Sequence, residues 1–266
     1  MNKRYNTVLT IAGSDSGGGA GIQADIKSIS ANGAYASTVI TASTAQNTQG
    51  ITDIHPMPIA HIKAQLEAVL SDINIGAVKI GMLHSLEVIN TVRDTLEKYK
   101  IKKIILDPVM ISTSGEKLLN SEAINALKEF LPNVYLITPN IPEAQLLSGH
   151  SISLENVKQT AQEIGEKFST SVLLKGGHLK SKTMMTDTLF IYNSKKTITI
   201  NNKAFKTKHT HGTGCSLSSA IATYISLGLE LEEAVIKSCQ YVNEAIDAGK
   251  NKILGKGNNP INHFKL

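Results

Sequence analysis

Short apolar runs rich in β-branched residues alternate along this chain with stretches whose apolar residues recur every three or four positions. Residues 8–11, 38–42, 77–80, 104–106, 134–137 and 172–174 read as strands. Between them Ile59, Ile62, Leu66, Val69 and Leu70 fall on one helical face, and Val88, Val92 and Leu96 repeat the arrangement one unit later. Such alternation predicts βαβ units, hence an α/β fold with a mostly parallel sheet covered by helices. The rhythm changes at 186–192 and 196–200, two runs separated by Asn193, Ser194 and Lys195, which predict an antiparallel hairpin. Two helices follow. The first carries Leu217, Ala220, Ile221, Tyr224 and Ile225, with Gly228 as its stop, and the second carries Leu231, Val235, Cys239, Val242 and Ile246. The Gly/Asn/Pro-rich residues from 255 onward predict a packed loop. No long linker, low-complexity tract or repeat interrupts the pattern, so a single domain over residues 1–266 is expected.

At 266 residues and 41% hydrophobic, the chain can bury a core without disulfide or metal staples. The formal charge of +5 changes little, because Arg4 and Arg93 are the only arginines and the lysines are scattered. Base readout and bidentate phosphate clamping favour arginine, so no nucleic-acid partner is expected, while a bound phosphate ester stays open. Cys215 and Cys239 make no disulfide framework, and the polar first residues run straight into the strand at 8–11 without a secretory signal, which predicts a cytoplasmic location. No apolar run approaches the ~20 residues that cross a bilayer, so no membrane partner is expected.

Four segments are candidates for chemistry. Ala12-Gly13-Ser14-Asp15-Ser16-Gly17-Gly18-Gly19-Ala20-Gly21 joins a strand to a helix beginning near Ile22. Its glycines allow backbone to approach a ligand, or simply make a tight turn; it matches neither a P-loop nor a dinucleotide fingerprint. Thr210-His211-Gly212-Thr213-Gly214-Cys215-Ser216 precedes the next-to-last helix, where consecutive amides and the helix dipole favour an anion. That field is expected to lower the pKa of the Cys215 thiol and make it an activated base or a close polar contact; a small helix-capping residue is the alternative. Cys239 sits on an apolar stripe and reads as core.

Asp107-Pro108-Val109-Met110 and Thr138-Pro139-Asn140-Ile141-Pro142-Glu143 each end a strand. In parallel sheets these ends line the ligand crevice, so Asp107, Asn140 and Glu143 can share a site suited to Mg²⁺. Alternatively Glu143 serves the dipole of its own helix and Asp107 caps a turn. Lys175-Gly176-Gly177-His178 follows a strand and aims an ammonium at the same crevice or at solvent. His55, His61, His84 and His150 lack metal-ligand spacing, and no zinc site is expected.

Taken together these segments resemble the hydroxymethylpyrimidine/phosphomethylpyrimidine kinases of thiamine biosynthesis, within the ribokinase-like superfamily. The resemblance rests on residues 12–25, on Thr44-Ala45-Gln46-Asn47-Thr48, on Lys79-Ile80-Gly81-Met82-Leu83 and on His211-Gly212-Thr213-Gly214-Cys215, in the family's order. It implies a three-layer α/β/α fold with a small antiparallel hairpin at one edge, and ATP- and Mg²⁺-dependent phosphorylation of 4-amino-5-hydroxymethyl-2-methylpyrimidine and then of its monophosphate. By the same resemblance Gly13, Ala20, Asp25, Gln46, Met82 and Val109 line the pyrimidine pocket, with Asp25 or Gln46 reading the ring edge and Met82 and Val109 its faces. Cys215 polarises the substrate hydroxyl, and the amides of Gly212, Thr213 and Gly214 stabilise the charge developing on the γ-phosphoryl group. Asp107, Asn140 and Glu143 order Mg²⁺, its waters and the nucleotide phosphates, with Asp107 and Glu143 as the metal's carboxylates, and Lys175 and Thr210 contact the nucleotide. A homodimer is implied as well.

In the tail, Asn258-Asn259-Pro260-Ile261-Asn262-His263 departs from the family's more common Gly-Pro-Val-His-His-like run, which leaves the tail's role open. A pyridoxal kinase is the nearest alternative, since both substrates are flat heteroaromatics bearing a hydroxymethyl group; the intact segment around Gln46 favours the pyrimidine. A non-catalytic pyrimidine sensor is the second alternative. The intact residues 212–215 with Asp107 and Glu143 argue against it.

Overall fold

The computed structural model describes residues 4–110, 119–177 and 184–265. In chain order the elements are β1 (Thr7–Asp15), α1 (Gly21–Ala31), β2 (Tyr35–Asn47), β3 (Gly50–Pro56), α2 (Ile59–Asp72), β4 (Ala77–Ile80), α3 (Leu86–Lys98) and β5 (Ile104–Leu106). They continue as α4 (Ser121–Phe130), a 3₁₀ turn (Leu131–Asn133), β6 (Leu136–Ile137), α5 (Ile141–Ser148), α6 (Val157–Phe168), β7 (Ser171–Leu174), β8 (Met184–Ile191), β9 (Lys196–Lys203), α7 (Thr213–Ser226) and α8 (Leu231–Gly249). His178 of the Lys175 segment lies outside the described residues.

The nine strands among the described residues form one sheet in the order β3-β2-β1-β4-β5-β6-β7-β8-β9. The pairings from β2 through β7 are parallel, and the expected hairpin, β8 with β9, closes one edge antiparallel. At the other edge β3 folds back antiparallel on β2, which the apolar pattern did not predict. Every residue of β3 is exposed, so no buried face imposes the alternation that marks a strand. Strand β6 is shorter than the predicted 134–137, because the 3₁₀ turn with Pro132 occupies the approach to it.

Successive strand residues face opposite sides and build two cores. Leu9, Ile11, Val78, Ile80, Ile104 and Leu106 pack on one side with residues of α2, α3, α4 and α6 such as Leu66, Val92, Phe130 and Ile164. Val8, Ala77, Ile105 and Leu173 face the other side, against Ile29 of α1, Ile221 of α7 and Val235 of α8. The result is the expected α/β/α sandwich. The chain runs from β1 outward to β2 and β3, then returns to place β4 on the other side of β1. At such a reversal the strand ends diverge and open the crevice in which α/β sheets bind ligands. Asp15 ends β1 there, and Gly81 follows β4.

Candidate active site

The glycine segment after β1 is organised by Asp15. Its Oδ1 accepts from the amide of Gly17 at 2.8 Å, and its Oδ2 from the amides of Gly19 at 3.1 Å and Ala20 at 2.8 Å. His211 Nε2 completes the set at 3.0 Å from Oδ2. Burial alone would raise the Asp15 pKa, but the His211 and backbone donors outweigh it and hold the carboxyl below its ordinary value.

His211 stands just before α7, whose N-cap is Gly212. Gly212 has φ +82°, and a Cβ there would collide with the Gly19 carbonyl oxygen, so the glycine loop and the head of α7 touch backbone to backbone. Glycine at 212 is therefore required twice, by conformation and by space. The amides of the first helical turn lack intrahelical acceptors and point out of the helix N-terminus, as an anion site requires. Thr213 departs from that expectation in part: its amide donates to the Thr210 carbonyl at 3.3 Å. A Cβ on Gly214 would stand 3.2 Å from Asp107 Oδ2 and 3.5 Å from Lys175 Nζ, so this glycine faces an ion pair directly.

That ion pair joins two strand ends. Lys175 Nζ lies 2.7 Å from Asp107 Oδ1, which also accepts from Thr138 Oγ1 at 3.1 Å. Asn140 caps α5 by accepting from the Glu143 amide through its side-chain oxygen, and the Glu143 carboxylate accepts from the Asn140 amide, both at 2.9 Å. This capping box, worth about 1 kcal/mol, makes Glu143 a helix-terminus residue and a member of the crevice at once. Burial, with the Asp107 charge adding and Lys175 opposing, pushes the Glu143 carboxyl up to about 7. Burial disfavours the Lys175 ammonium, but Asp107 and Glu143 more than compensate and raise its pKa.

Beneath these groups lies a second ion pair. Lys79, inside β4 and fully buried, places Nζ 2.8 Å from Asp25 Oδ2. Thr10 Oγ1 donates to the same oxygen at 2.6 Å, and Ser219 Oγ donates to Oδ1 at 2.7 Å. Asp25 is 0% exposed. The expectation that it reads the edge of a pyrimidine is therefore corrected: its carboxylate ties α1 to β1, β4 and α7 instead. Desolvation penalises the Lys79 ammonium, yet the Asp25 charge holds its pKa above the ordinary lysine value.

Cys215 takes the third position of α7, on the same helical face as Ser219. Its partly buried thiol is pushed up to about 11 by desolvation, with Asp25 and Asp107 adding and Lys79 opposing. The expectation that this pKa is lowered is overturned, because loss of solvation around the sulfur outweighs the Lys79 ammonium and the hydrogen bond to the Gly21 backbone. A thiol is held here, not a thiolate. Cys239 is buried on α8, as its apolar stripe indicates.

The remaining expected residues divide. Gly13 lies under Met82, whose Cε would be 2.8 Å from a Cβ on Gly13, so these two share one wall. Gln46, Met82 and Val109 are partly exposed at or just beyond strand ends, and Ala20, the N-cap of α1, is partly exposed as well. Gln46 Nε2 lies 3.4 Å from His211 Nε2. Thr210 is exposed, in the loop before His211. Lys79 and His211 belong to the family motifs, and the sequence assigns neither a role of its own. A lysine in an otherwise apolar strand of a parallel sheet must be buried and must have a counter-charge, which was the available signal for Lys79. His211 carried no such signal, since its partner Asp15 is 196 positions away. Among the described residues no group of three or more His, Cys, Asp or Glu side chains converges to hold a metal, and no helix is long and apolar enough to cross a membrane.

Residues 15–262 match the model of the phosphomethylpyrimidine kinase family. The chain belongs to that family. It is 42% identical to the hydroxymethylpyrimidine/phosphomethylpyrimidine kinase of Haemophilus influenzae, over 97% of this chain and 96% of the relative. It is 44% identical to a thiamine biosynthesis bifunctional protein of Geobacter sulfurreducens, of which it spans about half the length (52%). Among solved structures, a phosphomethylpyrimidine kinase of Clostridium difficile is 45% identical, with a TM-score of 0.79 over 90% of this chain and 99% of that one. The pyridoxal kinase of Staphylococcus aureus, solved with AMP-PCP and pyridoxal, superposes with a TM-score of 0.88 at 30% identity, covering 99% of this chain and 95% of that one. The ribokinase-like fold implied by the sequence is thus the fold of this phosphomethylpyrimidine kinase family member.

Proposed function

We propose that this chain, acting as one domain over residues 1–266, transfers the γ-phosphoryl group of ATP to the hydroxymethyl oxygen of 4-amino-5-hydroxymethyl-2-methylpyrimidine and then to the resulting monophosphate, in thiamine biosynthesis. The observation that carries the assignment of residues is the packing of Gly214, at the head of α7, against the Asp107–Lys175 pair. One spot thus faces helix-terminal amides, an ammonium and a carboxylate, the set that phosphoryl transfer uses for positioning and charge stabilisation. ATP use is supported by the AMP-PCP bound to the Staphylococcus aureus relative.

The donor set fits Mg²⁺, which is held by one or two carboxylates together with waters and phosphate oxygens. Asp107 would hold it directly and Glu143 in part through water, and the metal would neutralise phosphate charge. Lys175 then contacts the nucleotide phosphates, Asn140 keeps Glu143 in place, and Thr210 lies at the rim of the nucleotide side. The amides of residues 212–214 receive the transferring group. Cys215 donates a hydrogen bond to the substrate hydroxyl rather than removing its proton, and a loose transition state asks little of a base. Gln46 reads the ring edge and Met82 and Val109 cover the ring, beside Gly13 and Ala20. The fully exposed antiparallel β3 supports a homodimer built at that edge, and a cytoplasmic location completes the reading.

Phosphorylation of pyridoxal is the second reading, favoured by the structural match to pyridoxal kinases. The higher identity to pyrimidine kinases supports the first. A coupled ADP-release assay with ATP, Mg²⁺ and either hydroxymethylpyrimidine, its monophosphate or pyridoxal separates them: turnover of the first two with little on pyridoxal is expected, and preference for pyridoxal reverses the assignment. No turnover on any of the three leaves a pyrimidine sensor.

A further inference from the structure

We propose that Asp15 is a positioning residue for phosphoryl transfer: it holds His211 in the Nε2–H tautomer and so locks the glycine loop after β1 onto the first turn of α7. The inference rests on the reading of residues 212–214 as the phosphoryl-group site. The Asp15 carboxylate offers only acceptors, and it stays ionised because three amides and His211 donate to it. The ring nitrogen 3.0 Å away must therefore carry the proton. With Nε2 protonated, the Gln46 amide 3.4 Å away has no acceptor there, and its N–H groups stay available to a heterocycle's ring nitrogen.

The rest of His211 has little freedom. Its amide donates to the Asn259 carbonyl at 3.3 Å, and its carbonyl accepts from the Ile261 amide at 3.4 Å, so the C-terminal tail pins the main chain. A Cβ on Gly19 would strike Cδ2 of the ring, and one on Gly212 would strike the Gly19 carbonyl. The loop, the ring and the helix head pack closely, and the Asp15 contact fixes how the ring is turned. Gly212 follows His211 directly, so the Asp15 carboxylate, which also holds the Gly17, Gly19 and Ala20 amides, joins the loop to the residue that precedes the helix-terminal amides.

The test is Asp15→Asn in the full chain, read by the ¹⁵N shifts of the His211 ring nitrogens and by steady-state ADP release. The substitution keeps the shape and turns one oxygen into a donor. The His211 signal is expected to leave the Nε2–H pattern, and kcat to fall by about 10- to 100-fold, the scale for groups that orient another residue, with a smaller change in pyrimidine KM. His211→Asn supplies a cycle: if Asp15 acts through the ring, the double variant loses little more than His211→Asn alone. Should Asp15→Asn not fold, Gly19→Ala displaces the ring while leaving the carboxylate, and the same two readouts apply. An unchanged tautomer, an unchanged kcat, or additive losses in the cycle overturns the proposal. Absence of turnover in the unsubstituted protein refutes the kinase reading instead, a result the nitrogen shifts do not depend on.

Discussion

Lys79 and Asp25 form an ion pair with both side chains at 0% exposure, 2.8 Å from Nζ to Oδ2, directly under the elements that carry the site. A Cβ on Gly81 would lie 2.8 Å from that Nζ, so the glycine after β4 is what leaves room for the ammonium. The Asp25 carboxylate also receives Thr10 and Ser219, which fastens α7 to β1 four residues beyond Cys215. Removing one partner leaves an uncompensated buried charge. Lys79→Met is expected to cost about 3–5 kcal/mol in denaturant unfolding, and adding Asp25→Leu to recover part of it. A loss near that of an exposed pair, below about 1 kcal/mol, contradicts the burial described.

The Cys215 thiol, pushed up to about 11, stays protonated across the neutral range. Cys215→Ser replaces one weak donor by a stronger one and is expected to keep kcat within about tenfold, whereas loss of an obligatory base costs about 10²–10⁴. Alkylation by iodoacetamide at pH 7.5 is expected to be slow, because only the thiolate reacts. A rapid reaction with an inflection well below pH 9 restores the activated thiolate.

Gly214 is constrained by space. A valine there pushes into Asp107 Oδ2 and Lys175 Nζ, the groups 3.2 and 3.5 Å from the missing Cβ. Turnover is expected to fall by about 10²-fold or more, the scale for loss of one preorganised donor, while pyrimidine KM changes little. Equal losses in both place residue 214 in ground-state binding.

Two glycines with left-handed backbone make a matched comparison. Gly228, at φ +91°, has open space around it, so Gly228→Ala is expected to cost only the conformational penalty of about 1–2 kcal/mol and to leave kcat unchanged. Gly212→Ala, at φ +82°, adds the collision with Gly19 and is expected to lose more stability and most activity. Thermal melts and ADP release on both variants decide it; similar behaviour would mean the loop and helix head yield freely.

His263 in the tail bonds Ser216 Oγ at 3.0 Å, and burial, with the Lys27 charge adding, lowers its pKa to about 4. The neutral ring is the form the fold accepts. Its contribution, on the order of 3 kcal/mol, is present above the unfolded value of 6.5 and lost as pH falls toward 4. Urea midpoints at pH 7, 5.5 and 4.5 should fall more steeply for the natural chain than for His263→Asn; parallel curves refute the assignment.

The alternation of strands and helices, the edge hairpin and the segments that meet at the strand ends are legible in the residues alone, because burial of one face writes a local period of two or about 3.6 into the chain. The motifs around Gly17, Met82 and Gly214 likewise sat where a strand or helix begins or ends, and their glycines were legible as close approaches. Which polar groups satisfy one another follows from the folded arrangement instead. The exposed β3 has no buried face to announce it. Asp25 has the composition of a ligand-reading group, yet Lys79, 54 positions away, and Ser219, 194 positions away, take its oxygens. Cys215 sits at a helix N-terminus, where the dipole lowers a thiol's pKa, but burial among groups distant in sequence removes the water that would solvate a thiolate. Hydrogen bonds and desolvation are settled by neighbours in space, and neighbours in space are what the order of residues along the chain does not state.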